Sequence, residues 1–361
     1  MSSRNPSILF WVPYPKQQAP SQRYRVELFL RYLEAEGIRY KIVPFMDEST
    51  WKVLYQGGSL SRKLGGVMKG YFRRFSSLFT EVHRYDYVFI HREAAPLGPP
   101  ILEWILARVL RRKYIYDFDD AIWIPNTSEE NRVIAGFKAF WKVKYLCRWA
   151  YKIAAGNEFL REYAARFNDQ AIYMPTCVDT VYQHHLVKVH QEHQVVVGWT
   201  GRHSTLFYLD EILPVLQRLQ ERVAFAFVVI ADKDPRLPLR NYRFVRWNEA
   251  TEVQDLINID IGVMPLKADA WSEGKCGFKL IQYLSLGIPA VASPVGVNEE
   301  IVLHGQTGFI AGNHDEWEGS LARLISDFSL RKQMGDRGRR HIVDNYSVDA
   351  HLKTFLELFQ K

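Results

Sequence analysis

Short apolar runs alternate with stretches of helical spacing along nearly the whole chain. Ile8–Val12 is apolar throughout and predicts a first buried strand. A loop through Pro13, Tyr14, Pro15 and Pro20 follows. Ser21 is then placed to cap a helix in which Val26, Phe29, Leu30 and Leu33 recur at helical spacing until Gly37 stops it. Arg23 and Arg25 on that helix are expected to face either a cleft or solvent. Further strands are predicted at 38–43, Tyr87–His91, Tyr114–Phe118, Lys152–Ala155, 171–174, 195–199, 225–230, 242–245, 259–264 and 288–292. Helices are predicted at 101–112, 131–151, 158–167, 316–327 and 330–345, with a last one running from Ser347 to Phe359. Strands regularly interleaved with helices argue for an α/β protein with parallel sheets, whose ligands sit at the carboxyl ends of the strands.

Residues 60–79 carry a second pattern. Leu60, Leu64, Val67, Met68, Tyr71, Phe72, Phe75, Leu78 and Phe79 recur at helical spacing, while Arg62, Lys63, Lys69, Arg73 and Arg74 add five cations and no acid. A basic amphipathic helix with aromatics suits the surface of an anionic membrane or a lipid-linked acceptor. The plainer alternative is a core-packed helix whose polar face is basic. Gly65, Gly66 and Gly70 weaken helix propensity, which fits a loop ordered by its target.

At 361 residues, with 47% hydrophobic and 24% charged, the chain has the size of two globular domains. Its three cysteines, Cys147, Cys177 and Cys276, are far apart and lack metal spacing, which points to a reducing compartment. The apolar run near the N-terminus is too short for a signal segment, and no run approaches the length of a membrane span. The expected location is cytoplasmic, peripheral on the inner face of the cell membrane. A formal charge of +7 favours anionic partners.

The most informative stretch runs from Glu273 to Val297. A glycine-bearing loop (Glu273, Gly274, Lys275, Cys276, Gly277) opens an apolar helix at Phe278, and Gly287 ends that helix before a buried strand. Backbone N–H groups at a helix start, with glycines permitting close approach, make a site for phosphate. Lys275 and Lys279 place positive charge beside it, and Cys276 reads as a small buried side chain.

Ser285-Leu286-Gly287-Ile288-Pro289-Ala290-Val291-Ala292-Ser293 resembles the nucleotide-sugar segment of retaining glycosyltransferases of the GT-B fold, family 4 (group 1). The resemblance covers residues 195–360 closely and the earlier part only in architecture. It implies two facing Rossmann-like domains with parallel sheets: residues 1–185 binding acceptor and 186–345 binding the nucleotide sugar, with a helix at 346–361 crossing back onto the first. It also implies that Glu273, Gly274, Lys275, Cys276, Gly277, Phe278, Gly201 and Trp247 hold the donor, and that Arg202 clamps its diphosphate. Two departures stand out. The family's two loop glutamates fall at Gly274, one residue from Glu273, and at Gln282, which can hydrogen-bond ribose but not as an anion. Phe207 and Tyr208 stand where most members carry a lysine, so Lys275 or Lys279 is expected to supply that charge.

Asp117, Asp119 and Asp120 suggest a metal site, but the GT-B resemblance implies none and no cofactor. Asp119 and His91 are instead expected to orient acceptor or donor-sugar hydroxyls, or to cap strand ends. His184, His185, His190 and His193 read as a solvated interdomain linker rather than metal ligands. The expected chemistry is metal-independent, retaining transfer of a sugar from a nucleoside-diphosphate sugar to a glycan or lipid-linked acceptor in cell-surface polysaccharide or glycoconjugate synthesis. Arg202 and Lys279 would stabilise the leaving diphosphate while the domains close over it. The alternatives are a nucleotide-sugar epimerase of the same fold and a non-catalytic sugar-nucleotide-binding subunit. No nucleic-acid-reading module is present in the sequence.

Overall fold

The computed structural model describes residues 5–55, 60–125, 138–191 and 194–360. The chain divides into two units, one of residues Met1–Thr176 with His351–Lys361 and the other of Cys177–Ala350.

The first unit is built on six strands, β1 (Ile8–Val12), β2 (Tyr40–Pro44), β3 (Tyr87–His91), β4 (Tyr114–Phe118), β5 (Lys152–Ala155) and β6 (Ala171–Tyr173). They form one sheet in the order β2-β1-β3-β4-β5-β6, and every pairing is parallel. The continuous apolar runs of β1, β3 and β4 are buried at every residue, as strands covered on both faces must be. Residues after 350 complete this unit. Phe355 stacks on Phe29 with ring centroids 4.0 Å apart, Phe359 packs near Tyr87 and Phe89, and Lys152 Nζ donates to the carbonyls of Glu357 and Gln360.

The second unit holds β7 (Val195–Gly201), β8 (Phe225–Ala231), β9 (Tyr242–Arg246), β10 (Ile261–Met264), β11 (Ala290–Ala292) and β12 (Gly308–Ile310). Their order is β12-β11-β10-β7-β8-β9, again with parallel pairings throughout. Separate apolar clusters cover its two faces, one around Tyr283 and Leu284 and one around Trp199 and Leu216. The helix Phe278–Ser285 packs against the helix Phe328–Tyr346 through glycines. A Cβ on Gly335 would lie 2.0 Å from the Gly287 carbonyl oxygen, so only glycine allows that approach.

Several expected elements take a different form. Ser21 does not cap a helix. It lies inside the helix Pro20–Arg25, whose N-cap is Ala19, and its hydroxyl is taken by His91. The expected single helix to Gly37 breaks at Val26 (φ −125°, ψ −60°) and resumes at 30–35, because Gln22, Arg23 and Arg25 turn inward. Helix 101–112 widens from an α-turn at Ile101–Trp104 to a π-turn at Ile105–Val109. Of the helix expected over 131–151, Val143–Trp149 is helical after a 3₁₀ turn at Phe140–Lys142, and residues 131–137 lie outside the described residues.

The segment read as a solvated linker is packed into the second unit. His184 and His190 are buried, His190 Nε2 meets the Gly287 carbonyl at 2.9 Å, and Lys188 pairs with the buried Asp260 at 2.9 Å. His185 is exposed, and His193 lies outside the described residues.

The helix Leu60–Thr80 forms with Arg74 on its buried side beside Ser77 and Leu78, and with most of its large apolar residues outward. Arg74 is fully buried, and its guanidinium donates to the carbonyls of Val12, Val43 and Ala94 at 2.6–2.7 Å, capping the ends of β1 and β2. Arg73 reaches the carbonyls of Pro44 and Phe45, and both Arg73 and Lys69 pair with Asp47. The glycines do not loosen this helix. A Cβ on Gly66 would lie 2.4 Å from Thr50 and one on Gly70 2.6 Å from Phe45, so they seat the helix closely on its neighbours. Leu64, Met68, Phe72, Phe75 and Phe79 face outward, Phe72 at 77% exposure. Five cations do not form an outer basic face, because Arg74 is inside and Asp47 neutralises two others.

Candidate functional site

The second unit's expected donor residues lie at and after the carboxyl ends of β7, β9 and β10. After β10, Asp269 caps the short helix Ala270–Glu273 by accepting from the Ser272 N–H at 2.7 Å. The chain then turns through Gly274, Lys275 and Cys276 to Gly277, whose φ of +61° starts the helix Phe278–Ser285. A Cβ at Gly277 would stand 2.2 Å from Ile301 Cδ1, so backbone conformation and space both call for glycine. The Leu280 N–H returns to the Gly277 carbonyl at 2.9 Å, and the start of this helix carries the positive end of its dipole. Cys276 is buried and in no disulfide, and Lys275 lies over the Trp271 ring, 4.8 Å from its centroid. Glu273 accepts from the Gly296 N–H at 3.1 Å, which ties this loop to the one following β11.

Lys279 reaches back to β7. Its ammonium lies 5.2 Å from the Trp199 ring centroid, and its Cε is 3.0 Å from where a Cβ on Gly201 would sit. Gly201 and Lys279 therefore share one surface, with Arg202 next along the chain. The loop after β7 is fastened to the end of β8 by Asp232, which accepts from the His203 N–H and meets its Nδ1, both at 2.6 Å. Burial opposes ionisation of Asp232, but these hydrogen bonds and the nearby charges of His203 and Arg202 hold its carboxyl below the usual range. Tyr208, expected to mark a missing lysine, is a buried support. Its hydroxyl meets Ser272 Oγ at 3.0 Å, and Phe207 is exposed.

Trp247 and Gln282 meet through a residue not singled out in the sequence. Glu252 Oε1 lies 3.2 Å from Trp247 Nε1 and 3.3 Å from Gln282 Nε2, with Glu252 and Gln282 only 6% and 3% exposed. Where the sequence offers a neutral amide, the adjacent helix Glu252–Leu256 supplies the carboxylate.

In the first unit, His91 and Asp119 occupy different settings. His91 is fully buried, with Nδ1 2.6 Å from Asp117 and Nε2 2.8 Å from Ser21 Oγ. Both ring nitrogens are engaged, so in this arrangement it positions neighbours rather than presenting a nitrogen to a ligand. Arg25 braces the other oxygen of Asp117. Asp119 takes two hydrogen bonds from Arg92, at 2.7 and 2.9 Å. Burial pushes its pKa up, yet Arg92, His91 and Arg25 outweigh burial and hold it well below the ordinary range. Among the described residues no group of His, Cys, Asp and Glu has the arrangement of a metal site, and no helix is long and apolar enough to cross a membrane.

Two six-stranded parallel sheets, the second with its phosphate-type helix start, give the chain the GT-B fold of glycosyltransferases. A glycosyltransferase from Rickettsia africae ESF-5 superposes with a TM-score of 0.70 at 14% identity, covering 99% of this chain and 98% of its own. HepE of Anabaena, solved in complex with UDP-glucose, also gives 0.70, at 16% identity over 98% of this chain and 99% of its own. Sucrose-phosphate synthase of Thermosynechococcus elongatus gives 0.69 at 14% identity, over 99% and 98%. At such identities the likeness is one of fold. Residues 194–327 match the family described as glycosyl transferases group 1, which is a little over a third of the chain. N-acetyl-alpha-D-glucosaminyl L-malate synthase of Bacillus anthracis is 22% identical over 85 residues, 23% of this chain, and the match spans only 22% of that protein.

Proposed function

We propose that the protein transfers a sugar, with retention of anomeric configuration, from a nucleoside-diphosphate sugar to a glycan or lipid-linked acceptor. The observation that carries this reading is the meeting of Lys279 with Gly201 beside Arg202, on the helix that Gly277 starts. As the glycosidic bond breaks, charge builds on the β-phosphate oxygens. The helix N-terminus, Lys279 and Arg202 are the groups proposed to stabilise it, without a metal being required. The acceptor hydroxyl would attack from the face the leaving group departs, and the departing phosphate would take its proton. Trp247, Glu252 and Gln282 would hold the nucleoside. The complex of HepE with UDP-glucose supports a sugar-nucleotide donor.

The outward apolar face of helix 60–80 supports contact with a membrane at which a lipid-linked acceptor would be met, so cell-surface polysaccharide or glycoconjugate synthesis is the setting we infer. A thermal-shift panel of nucleoside diphosphates and their sugars tests the donor half. A ligand bound only by the folded protein raises its melting point. Product nuclear magnetic resonance would then read anomeric configuration. If no sugar nucleotide shifts the melting point, the reading fails, and an isomerised sugar formed without acceptor would favour an epimerase.

A further inference from the structure

The first unit carries an open cleft of about 230 Å³, outside all the residues assigned above. It lies between the turn at Pro99–Pro100, the side chains of Ile101 and Trp104, and Trp141, Tyr145 and Trp149. Trp104 and Trp141 are about half exposed, at 47% and 53%, although tryptophans of this size usually bury most of their surface. The cleft is smaller than the roughly 300–1,000 Å³ that encloses a drug-sized ligand, which suits a segment of chain rather than a whole molecule. Its lining is aromatic and aliphatic, so the segment is a hydrocarbon.

The surroundings name the kind of hydrocarbon. Residues 99–113 contain Arg108, Arg111, Arg112 and Lys113 and a single acid, Glu103, which is buried. Residues 138–152 contain Lys138, Lys142, Lys144, Arg148 and Lys152 and no acid. Arg108 stands one helical turn beyond Trp104, Arg148 stands between Tyr145 and Trp149, and both are exposed. Helix 60–80 is tied to the segment before the proline turn, where its Tyr71 hydroxyl donates to the Leu97 carbonyl. Lys142 is buried against Glu93, but half-exposed tryptophans beside the exposed Arg108 and Arg148 match the headgroup layer of an anionic bilayer, where indole rings sit at the boundary and arginines meet phosphate.

We propose that this cleft takes one acyl chain of an anionic phospholipid and, with the outer face of helix 60–80, seats the first unit on the bilayer. The inference deepens the membrane-contact reading above. Vesicle binding needs neither donor nor transfer, so its failure would leave the sugar chemistry standing.

The test is sedimentation of the full chain with sucrose-loaded vesicles of phosphatidylcholine alone or mixed with phosphatidylglycerol. Binding is expected only with phosphatidylglycerol, and to weaken roughly tenfold or more in a Trp104→Ala/Trp141→Ala variant and in Arg148→Glu. Soluble glycerol phosphate should not compete. Should the alanine variant fold poorly, Trp104→Phe/Trp141→Phe serves instead. Lipids brominated in the upper acyl chain should quench tryptophan emission strongly in the unmodified protein and far less in that variant. No binding to anionic vesicles, or equal binding and quenching in all variants, would overturn the proposal and point to a protein partner for this face.

Discussion

Gln282 donates its side-chain amide to Glu252 Oε1 at 3.3 Å, in a place where both are nearly closed to solvent. The pair joins two elements thirty residues apart and leaves the carboxylate on the side of Trp247. Glu252→Gln should therefore weaken nucleoside-diphosphate binding by about tenfold, the scale of one hydrogen bond to a charged group. The change should appear in KM more than in kcat. Titration calorimetry with nucleoside diphosphates checks this, and an unchanged affinity would assign Glu252 to packing alone.

Arg202→Ala and Lys279→Ala should each lower turnover at saturating donor by about 10²–10³, the cost of losing one preorganised charge at a leaving group. Neither should move the thermal midpoint much, since both side chains are partly exposed. Full turnover in both variants would remove the charge-stabilisation account.

Two glycines separate close packing from helix propensity. Gly335→Ala should destabilise by at least about 2 kcal/mol, because its new methyl would meet the Gly287 carbonyl with no flexible side chain to yield. Gly319→Ala, in the helix His314–Ser326 with nothing within 4 Å, should stabilise by about 0.8 kcal/mol. Urea midpoints at constant slope provide the comparison.

Acid should loosen the first unit through Asp119. Its folded pKa is depressed, so the stability it contributes is present above the usual carboxylate pKa of about 4 and is lost as pH falls through and below it. Asp119→Asn should cost about 2 kcal/mol at pH 7, the scale of hydrogen bonds to a charged group, since Arg92 keeps Asp120 as a partner, and progressively less as the solution is acidified. A constant difference across that range would show that the ion pair is not the source.

The strands were easy to read because parallel sheets bury both faces. Runs such as Tyr87–His91, Tyr114–Phe118 and Lys152–Ala155 have the bounds that their composition suggests. Periodicity also found helix 60–80, but a period names faces without saying which one turns inward. The clue was the row Gly66, Gly70, Arg74 and Ser77, three of them small, because small residues line the side of a helix that approaches its neighbour closely. Ser77 indeed accepts from Trp11 Nε1 at 3.0 Å. Glu252 was hidden for another reason. An acid in the first turn of a helix reads as a solvated partner of the dipole, and only the distant Trp247 and Gln282 make it a buried one. His91 resembled a ligand-facing residue at a strand end, and the residues that occupy it, Ser21 and Asp117, lie seventy and twenty-six positions away.

Phe29 finds its stacking partner in Phe355, and Lys152 finds acceptors at Glu357 and Gln360. During synthesis the ribosome releases the strands of the first sheet early, yet the rings that close over them emerge only after the whole of the second unit has been made. That half of the molecule must wait, partly uncovered, while its neighbour folds, and its final closure registers that translation has passed through both.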